Sequence, residues 1–259
     1  MSKSELNPYG SLIQKFYDDL RVHKGIPTGE DLRNKNFLVI GSNNVFNNYF
    51  SYFEELPKFL GFYSKTSGEP NSDNVNNTYL RIQSEIKSPI ELIVACGGGS
   101  SIDFAKSVAI LLSTGNKDIT DFEFGEIAIK NTIQIIAIPT TCGSGSETTP
   151  YTVINNSETG RKFTLTSNEL IPVKAFLDAK LLKSNSNQTI TDTSIDALTH
   201  FLEAGMNLQN GTKVFEICKY GAIIIANDLP NFIKTKSENS LFNLLEAAMI
   251  AGHCIFLRF

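Results

Sequence analysis

The sequence predicts an α/β protein: a Rossmann-like domain with a mainly parallel sheet, followed by an all-helical domain. Three observations carry that prediction. Short aliphatic runs alternate with helix-like patterns over the first two-thirds of the chain, which is the signature of a parallel sheet covered on both faces. Two of the runs end in segments rich in glycine and hydroxyl residues. Beyond Asp178 the strand-like runs give way to apolar residues at helical spacing.

Taken in order, residues 37–40 (FLVI) read as a buried strand that ends in the loop Gly41, Ser42, Asn43, Asn44. Residues 46–60 place aromatic side chains at helical spacing and predict a helix. Residues 66–76 are rich in Gly, Pro, Ser and Asn and predict a loop. A second strand over 90–95 runs into Gly97, Gly98 and Gly99; Ser100 then opens a helix to about Ser113, ended by Gly115. Residues 133–138 (IQIIAI) form a third strand, halted by Pro139. From Ile190 onward the helical register passes through Ile195, Leu198 and Leu202, then Val214, Ile217 and Ile223, then Leu241, Leu244, Leu245 and Ala248. The predicted division is an α/β domain over 1–182 and a helical domain over 183–259.

The bulk composition narrows the classes of function. The chain has 259 residues, 41% of them hydrophobic and 19% charged, enough for a sizeable core in an ordinary soluble protein. A net charge of -4 argues against a nucleic-acid partner, which calls for a basic face. No apolar run approaches the ~18 residues of a membrane span, and the N-terminus lacks the apolar core of a signal peptide. Cys96, Cys142, Cys218 and Cys254 are scattered without a CxxC pair, so a reducing cytoplasm is the expected location. Histidine chemistry is limited to His23, His200 and His253.

Three segments carry chemistry. In GGGSSIDFAK (97–106), glycines between a strand and a helix let backbone N–H groups approach a phosphate, and Ser100 or Ser101 can cap the helix or donate to it. This is not GxGxxG, and taken alone it is also an ordinary tight turn; Asp103 and Lys106 then read as solvated or paired charges. In IPTTCGSGSETT (138–149), small hydroxyl residues at the carboxyl end of a strand suit pyrophosphate or an amide, or else a flexible connection. In SIDALTH (194–200), Asp196 and His200 lie four apart on one helix face, as a salt bridge or as half of a metal site. His253 is a third candidate ligand or simply part of a terminal helix.

Together these segments, in this order and spacing, resemble the iron-containing (group III) alcohol dehydrogenases from about Phe37 onward. Pro70-Asn71 resembles that family's Pro-Asn-Pro-Thr segment, residues 160–162 its lysine near the nicotinamide, and Asp178-Ala179-Lys180-Leu181 its Asp-Pro-x-Leu. The resemblance implies a metal-dependent oxidoreductase transferring a hydride between NAD(P)H and a small aldehyde or alcohol. It implies that Gly98, Gly99 and Ser100 hold the diphosphate, with Asp103 also at the cofactor. It puts Thr140, Thr141, Ser144 and Lys162 at ribose, phosphate or nicotinamide, Lys162 being the catalytic candidate, and Asn71 and Leu181 nearer the adenosine end. Asp196 and His200 are implied as two of four ligands to Fe2+ or Zn2+, a Lewis acid on the substrate oxygen, the other two being downstream histidines. Homodimers are common among such relatives.

The departures from the family pattern set further expectations. Ser194 stands where the family has Gly, and residues 185–187 lack its Leu-Pro pair. The chain ends at Phe259, before the implied third and fourth ligands, which reads as a truncated member and is expected to strand the apolar faces of Leu241, Leu244, Leu245 and Ile255. The turn after the first strand carries no acid for a ribose 2′-OH, which favours NADP over NAD. The alternatives are a remnant that binds nucleotide without catalysis, or a glycerol-dehydrogenase or dehydroquinate-synthase type of protein.

Overall fold

A computed structural model describes residues 17–18, 21–65, 68–207 and 211–256. Its centre is a six-stranded, all-parallel sheet built from β1 (Val22–Lys24), β2 (Phe37–Gly41), β3 (Phe59–Ser64), β4 (Leu92–Gly97), β5 (Gln134–Pro139) and β8 (Lys174–Leu177), in the order β1-β8-β5-β4-β2-β3. Between β5 and β8, β6 (Tyr151–Asn155) and β7 (Lys162–Thr166) form an antiparallel hairpin. Every residue of β2 and β4 is buried, which is why both read as continuous apolar runs.

Alternate side chains of these strands point to opposite faces. Leu38, Ile40, Ile93, Ala95, Ile135 and Ala137 share one cluster with α1 (Ser72–Glu85) and α2 (Gly99–Thr114). Phe37, Val39, Val94, Cys96, Ile136 and Ile138 belong to a second cluster, which also takes in α3 (Asn187–Met206), α4 (Gly211–Thr235) and α5 (Glu238–Phe256). The sheet and the C-terminal helices are therefore joined by one continuous apolar core.

Several sequence expectations are corrected. The helix over 46–60 is instead a broken turn: Phe46–Phe50 winds as a π-helix, Ser51–Glu55 as a 3-10 helix, and β3 has begun by Phe59. The aromatic spacing serves packing, with Phe46 stacked on Phe62 and Phe50 on Phe53. The loop over 66–76 ends early because Asn71 caps α1, its side chain accepting from Asn74 N at 3.0 Å. Residues that mark a loop also cap helices; Thr66 and Ser67 lie outside the described residues. Leu241, Leu244 and Leu245 are not stranded: all three are at most 1% exposed, and Ile255 packs partly buried against the same core. An exposed apolar groove lies elsewhere, between α3 and α4, where Leu202, Met206 and Phe215 are each half or more exposed.

Candidate functional site

The chain leaves β2 for β3 on one side and then crosses to β4 on the other, so the strand order reverses between β2 and β4. In open α/β sheets that is where the carboxyl ends of the strands part and leave a crevice. A cleft of about 650 Å³ occupies this place, lined by Ser42, Asn43 and Asn44 after β2, Gly98 and Ser101 after β4, Thr140 after β5, and Asn48, Tyr49, Lys65 and Asn185. The helix α2 starts here with Gly98 as N-cap and no side-chain cap bond. Its first N–H groups are thus available to an anion, with the positive end of the helix dipole behind them.

The second loop packs directly on the first. Thr140 N donates to Gly97 O at 3.0 Å, and Asn185 Nδ2 donates to Thr140 O at 2.7 Å. Asn185, in the segment that lacks the family's Leu-Pro pair, thus ties that segment to the loop after β5. Ser194, the other departure, is 1% exposed with its Oγ 3.4 Å from Cys142 Sγ, so its hydroxyl has a partner. On the far side, Thr148 Oγ1 donates to Met249 O, and the backbones of Gly145 and Gly252 touch so closely that a Cβ on Gly252 would lie 2.6 Å from Gly145 O. The loop is clasped between the sheet, α3 and α5.

Lys106 fastens it from below. Fully buried, its Nζ donates to the carbonyls of Ser146 and Thr149 at 2.7 Å and of Tyr151 at 2.9 Å. The solvated-charge reading of Lys106 is therefore overturned. Burial pulls its pKa down to about 8, against the opposing pull of Asp103 and Glu147. Burial pushes the neighbouring Glu147 up to about 7, offset in part by its own backbone N–H and by Lys106. Asp103 is raised by burial too, while Lys106, the Ser146 hydroxyl and Val153 N–H pull it back; both of those groups donate to its carboxylate. It is held inside a network, not solvated.

A smaller cavity of about 170 Å³ adjoins, lined by Asp103, Ser144, Ser146, Thr149, Tyr151, His200 and Gly252. His200 Nε2 lies 3.8 Å from Asp196 Oδ1, and its buried Nδ1 has no hydrogen-bond partner among the described residues. The pair offers one oxygen and one nitrogen donor. Among the described residues no group of three His, Cys, Asp or Glu side chains is assembled, so the donors present fall short of the four a divalent transition ion commonly takes. His253 sits within α5 with its ring against Phe256.

The structure thus gathers Gly98 and Thr140 at the cleft, with Gly99, Ser100 and Thr141 in the turns beside them, and Asp103, Ser144 and His200 at the adjoining cavity. It does not bring Asn71 and Lys162 into either space. Lys162 is exposed and paired with Glu69 at 2.8 Å; Asn155 donates to the same Glu69 and bridges to Asn71. The two residues therefore share one cluster at the hairpin. Leu181 is 2% exposed, within the core. Sequence reasoning missed Tyr49, Lys65 and Asn185. Lys65 follows the unrecognised strand β3, whose recognition would have placed it beside the Gly41 turn, where Lys65 N donates to Gly41 O.

Comparison with known proteins adds to this geometry. The family model for iron-containing alcohol dehydrogenases matches residues 27–179. A probable alcohol dehydrogenase, EutG of Escherichia coli, is 41% identical over 168 residues, covering 64% of this chain and 41% of that protein. Alcohol dehydrogenase 4 of Saccharomyces cerevisiae is 32% identical over 201 residues, covering 77% and 51%. The chain thus spans about half or less of these relatives' length. Among solved structures, an iron-containing alcohol dehydrogenase of Thermotoga maritima superposes with a TM-score of 0.77 at 28% identity, covering 87% of this chain and 62% of that one. A sulfoacetaldehyde reductase of Bifidobacterium kashiwanohense, solved with NAD+, reaches 0.80 at 22% identity, covering 91% and 65%, a likeness of fold alone.

Proposed function

The chain belongs to the iron-containing alcohol dehydrogenase family, and from that premise we propose that it serves hydride transfer between NADP(H) and a small aldehyde or alcohol. The observation that carries the reading is the cleft at the point where the strand order reverses, with the uncapped start of α2 opening into it. In this reading the N–H groups of Gly99 and Ser100 receive the diphosphate, with Gly98 giving it room. Thr140, Thr141 and Ser144 donate to ribose, phosphate or the nicotinamide amide, and Asp103 faces the reacting end from the smaller cavity. Lys162 and Asn71 meet whatever part of the cofactor reaches the hairpin, and Leu181 supports the adenosine side from within the core.

The preference for NADP rests on charge. The turn Gly41–Asn44 carries no acid, and Lys65 lines the same cleft, so a 2′-phosphate meets a cation and no carboxylate there. Lys65 Nζ also donates to Gly68 O. Asp196 and His200 are assigned as two ligands of Fe2+ or Zn2+. Among the described residues these two donors stand without the further ligands that would complete a divalent-ion site.

A second reading, nucleotide binding without turnover, is favoured by that two-donor set. Fluorescence titration with NADPH and NADH, followed by an aldehyde-reduction assay with added Fe2+, separates the two. Tighter NADPH binding with turnover supports the first reading, and binding without turnover the second. Tighter NADH binding would sink the NADP preference, and no binding of either would sink both readings.

A further inference from the structure

The loop after β5 is seated along one face of α2. Gly99, Asp103 and Lys106 stand at i, i+4 and i+7 of that helix and so follow one another down the same side. Gly99 is its first residue; a Cβ there would lie 2.1 Å from Ser144 Oγ, so the Ser144 hydroxyl occupies the room that the glycine leaves. One turn on, Asp103 receives the Ser146 hydroxyl and, at 3.2 Å, the Val153 N–H. Two turns on, Lys106 Nζ donates to the carbonyls of Ser146 and Thr149 at 2.7 Å and of Tyr151 at 2.9 Å. Ser146 N donates in turn to Ser144 Oγ at 3.3 Å. A short relay therefore joins the ammonium to the ligand-facing hydroxyl: Lys106 holds the carbonyl of Ser146, and the N–H of Ser146 holds Ser144. An ammonium out of water is costly unless its protons are received, so three carbonyls must converge on one point, and that convergence fixes the path of the loop from 146 to 151.

Resting on the nucleotide reading of the cleft, we propose that Lys106 is a positioning residue for the nucleotide, holding the Ser144 hydroxyl at the start of α2 through Ser146. Lys106 is 0% exposed and lines neither the cleft nor the smaller cavity, so it acts on the ligand only through the loop. Gly99 and Lys106 belong to one helix. The N–H groups offered to the diphosphate and the hydroxyl beside them are thus mounted on the same rigid element. Thr140 is seated separately, by its N–H on Gly97 O and by Asn185 on its carbonyl. Without the Lys106 ammonium the loop should lose the placement of Ser144 and keep that of Thr140.

The test is a pair of double-mutant cycles on nucleotide affinity. Fluorescence titration is run with whichever of NADPH and NADH the unaltered chain binds more tightly, below the melting temperature of every variant. Lys106→Met and Ser144→Ala should each raise Kd about tenfold, and the double variant should bind no more weakly than Lys106→Met alone. Lys106→Met combined with Thr140→Ala should instead multiply the two losses. Unchanged affinity in Lys106→Met, or full multiplication with Ser144→Ala, would overturn the proposal. So would equal coupling to Thr140 and Ser144, which would mean that Lys106 merely stabilises the loop as a whole. Binding of neither nucleotide by the unaltered chain is a different failure: it would sink the nucleotide reading, and this proposal with it. Should Lys106→Met fail to fold, the ammonium signal of Lys106 in protein carrying isotope-labelled lysine decides. That signal should shift when nucleotide binds the unaltered chain and shift less in Ser144→Ala; a signal left unmoved, or moved equally in both, would overturn the proposal.

Discussion

At the scale of the residue, the unusual chemistry of this protein lies under the loop, in Asp103, Lys106 and Glu147. A buried lysine is tolerated because three carbonyls receive its three protons, and a buried glutamate because it can take up a proton of its own. Glu147 yields a prediction with a sign. Its folded value of about 7 stands above the ordinary 4.5. Between those values the folded protein holds a proton that the unfolded chain has lost, so stability falls as pH rises through that window. The loss attributable to this group is up to about 3 kcal/mol. In Glu147→Gln that part of the slope should vanish when urea unfolding is followed at pH values spanning the window. An unchanged slope would mean that Glu147 titrates normally. Lys106 works in the opposite sense over a higher range: its lowered value makes stability rise with pH between about 8 and 10.5.

At the scale of the element, the decisive contact is α5 against the loop. Gly145, with φ of +62°, and Gly252 meet backbone to backbone, and Thr148 reaches the Met249 carbonyl beside them. Gly252→Ala should push loop and helix apart, costing about 1–3 kcal/mol as overpacking does. Nucleotide affinity should fall in the same variant, because Ser144 and Thr140 ride on that loop. Calorimetric melting and a nucleotide titration check both. A variant as stable and as tight-binding as the parent would show that the loop does not depend on this seat. Elements also show where the sequence misleads. Asn71 and Ser72 belong to a composition typical of loops, yet they begin α1, since the side chain that breaks a helix in its interior caps one at its start. The aromatic run from Phe46 has helical spacing but winds irregularly, because its rings are placed by stacking on β3 and on one another.

At the scale of the whole molecule, sheet and helices share a core. Phe37, Val39 and Val94 belong to the same cluster as Leu241, Leu244 and Met249. We therefore expect a single cooperative unfolding transition, with far-ultraviolet and tyrosine signals coinciding. Two separated transitions would show that α3, α4 and α5 fold independently of the sheet. No described helix is long and apolar enough to cross a membrane.

The sequence by itself determined the family, the alternation of strand and helix, and the three motifs. Those signals are local: an apolar run with glycines behind it, or an Asp and a His four apart, depend only on neighbours along the chain. Tertiary structure alone decided which motifs meet. It placed Gly98 and Thr140 in one cleft because β4 and β5 are adjacent, and it put Asn71 and Lys162 in a separate cluster at the hairpin. It buried Lys106 beneath carbonyls some forty residues distant, and it set Gly145 against Gly252. Burial and pairing across such intervals come from packing between elements, and no window of neighbouring residues contains them.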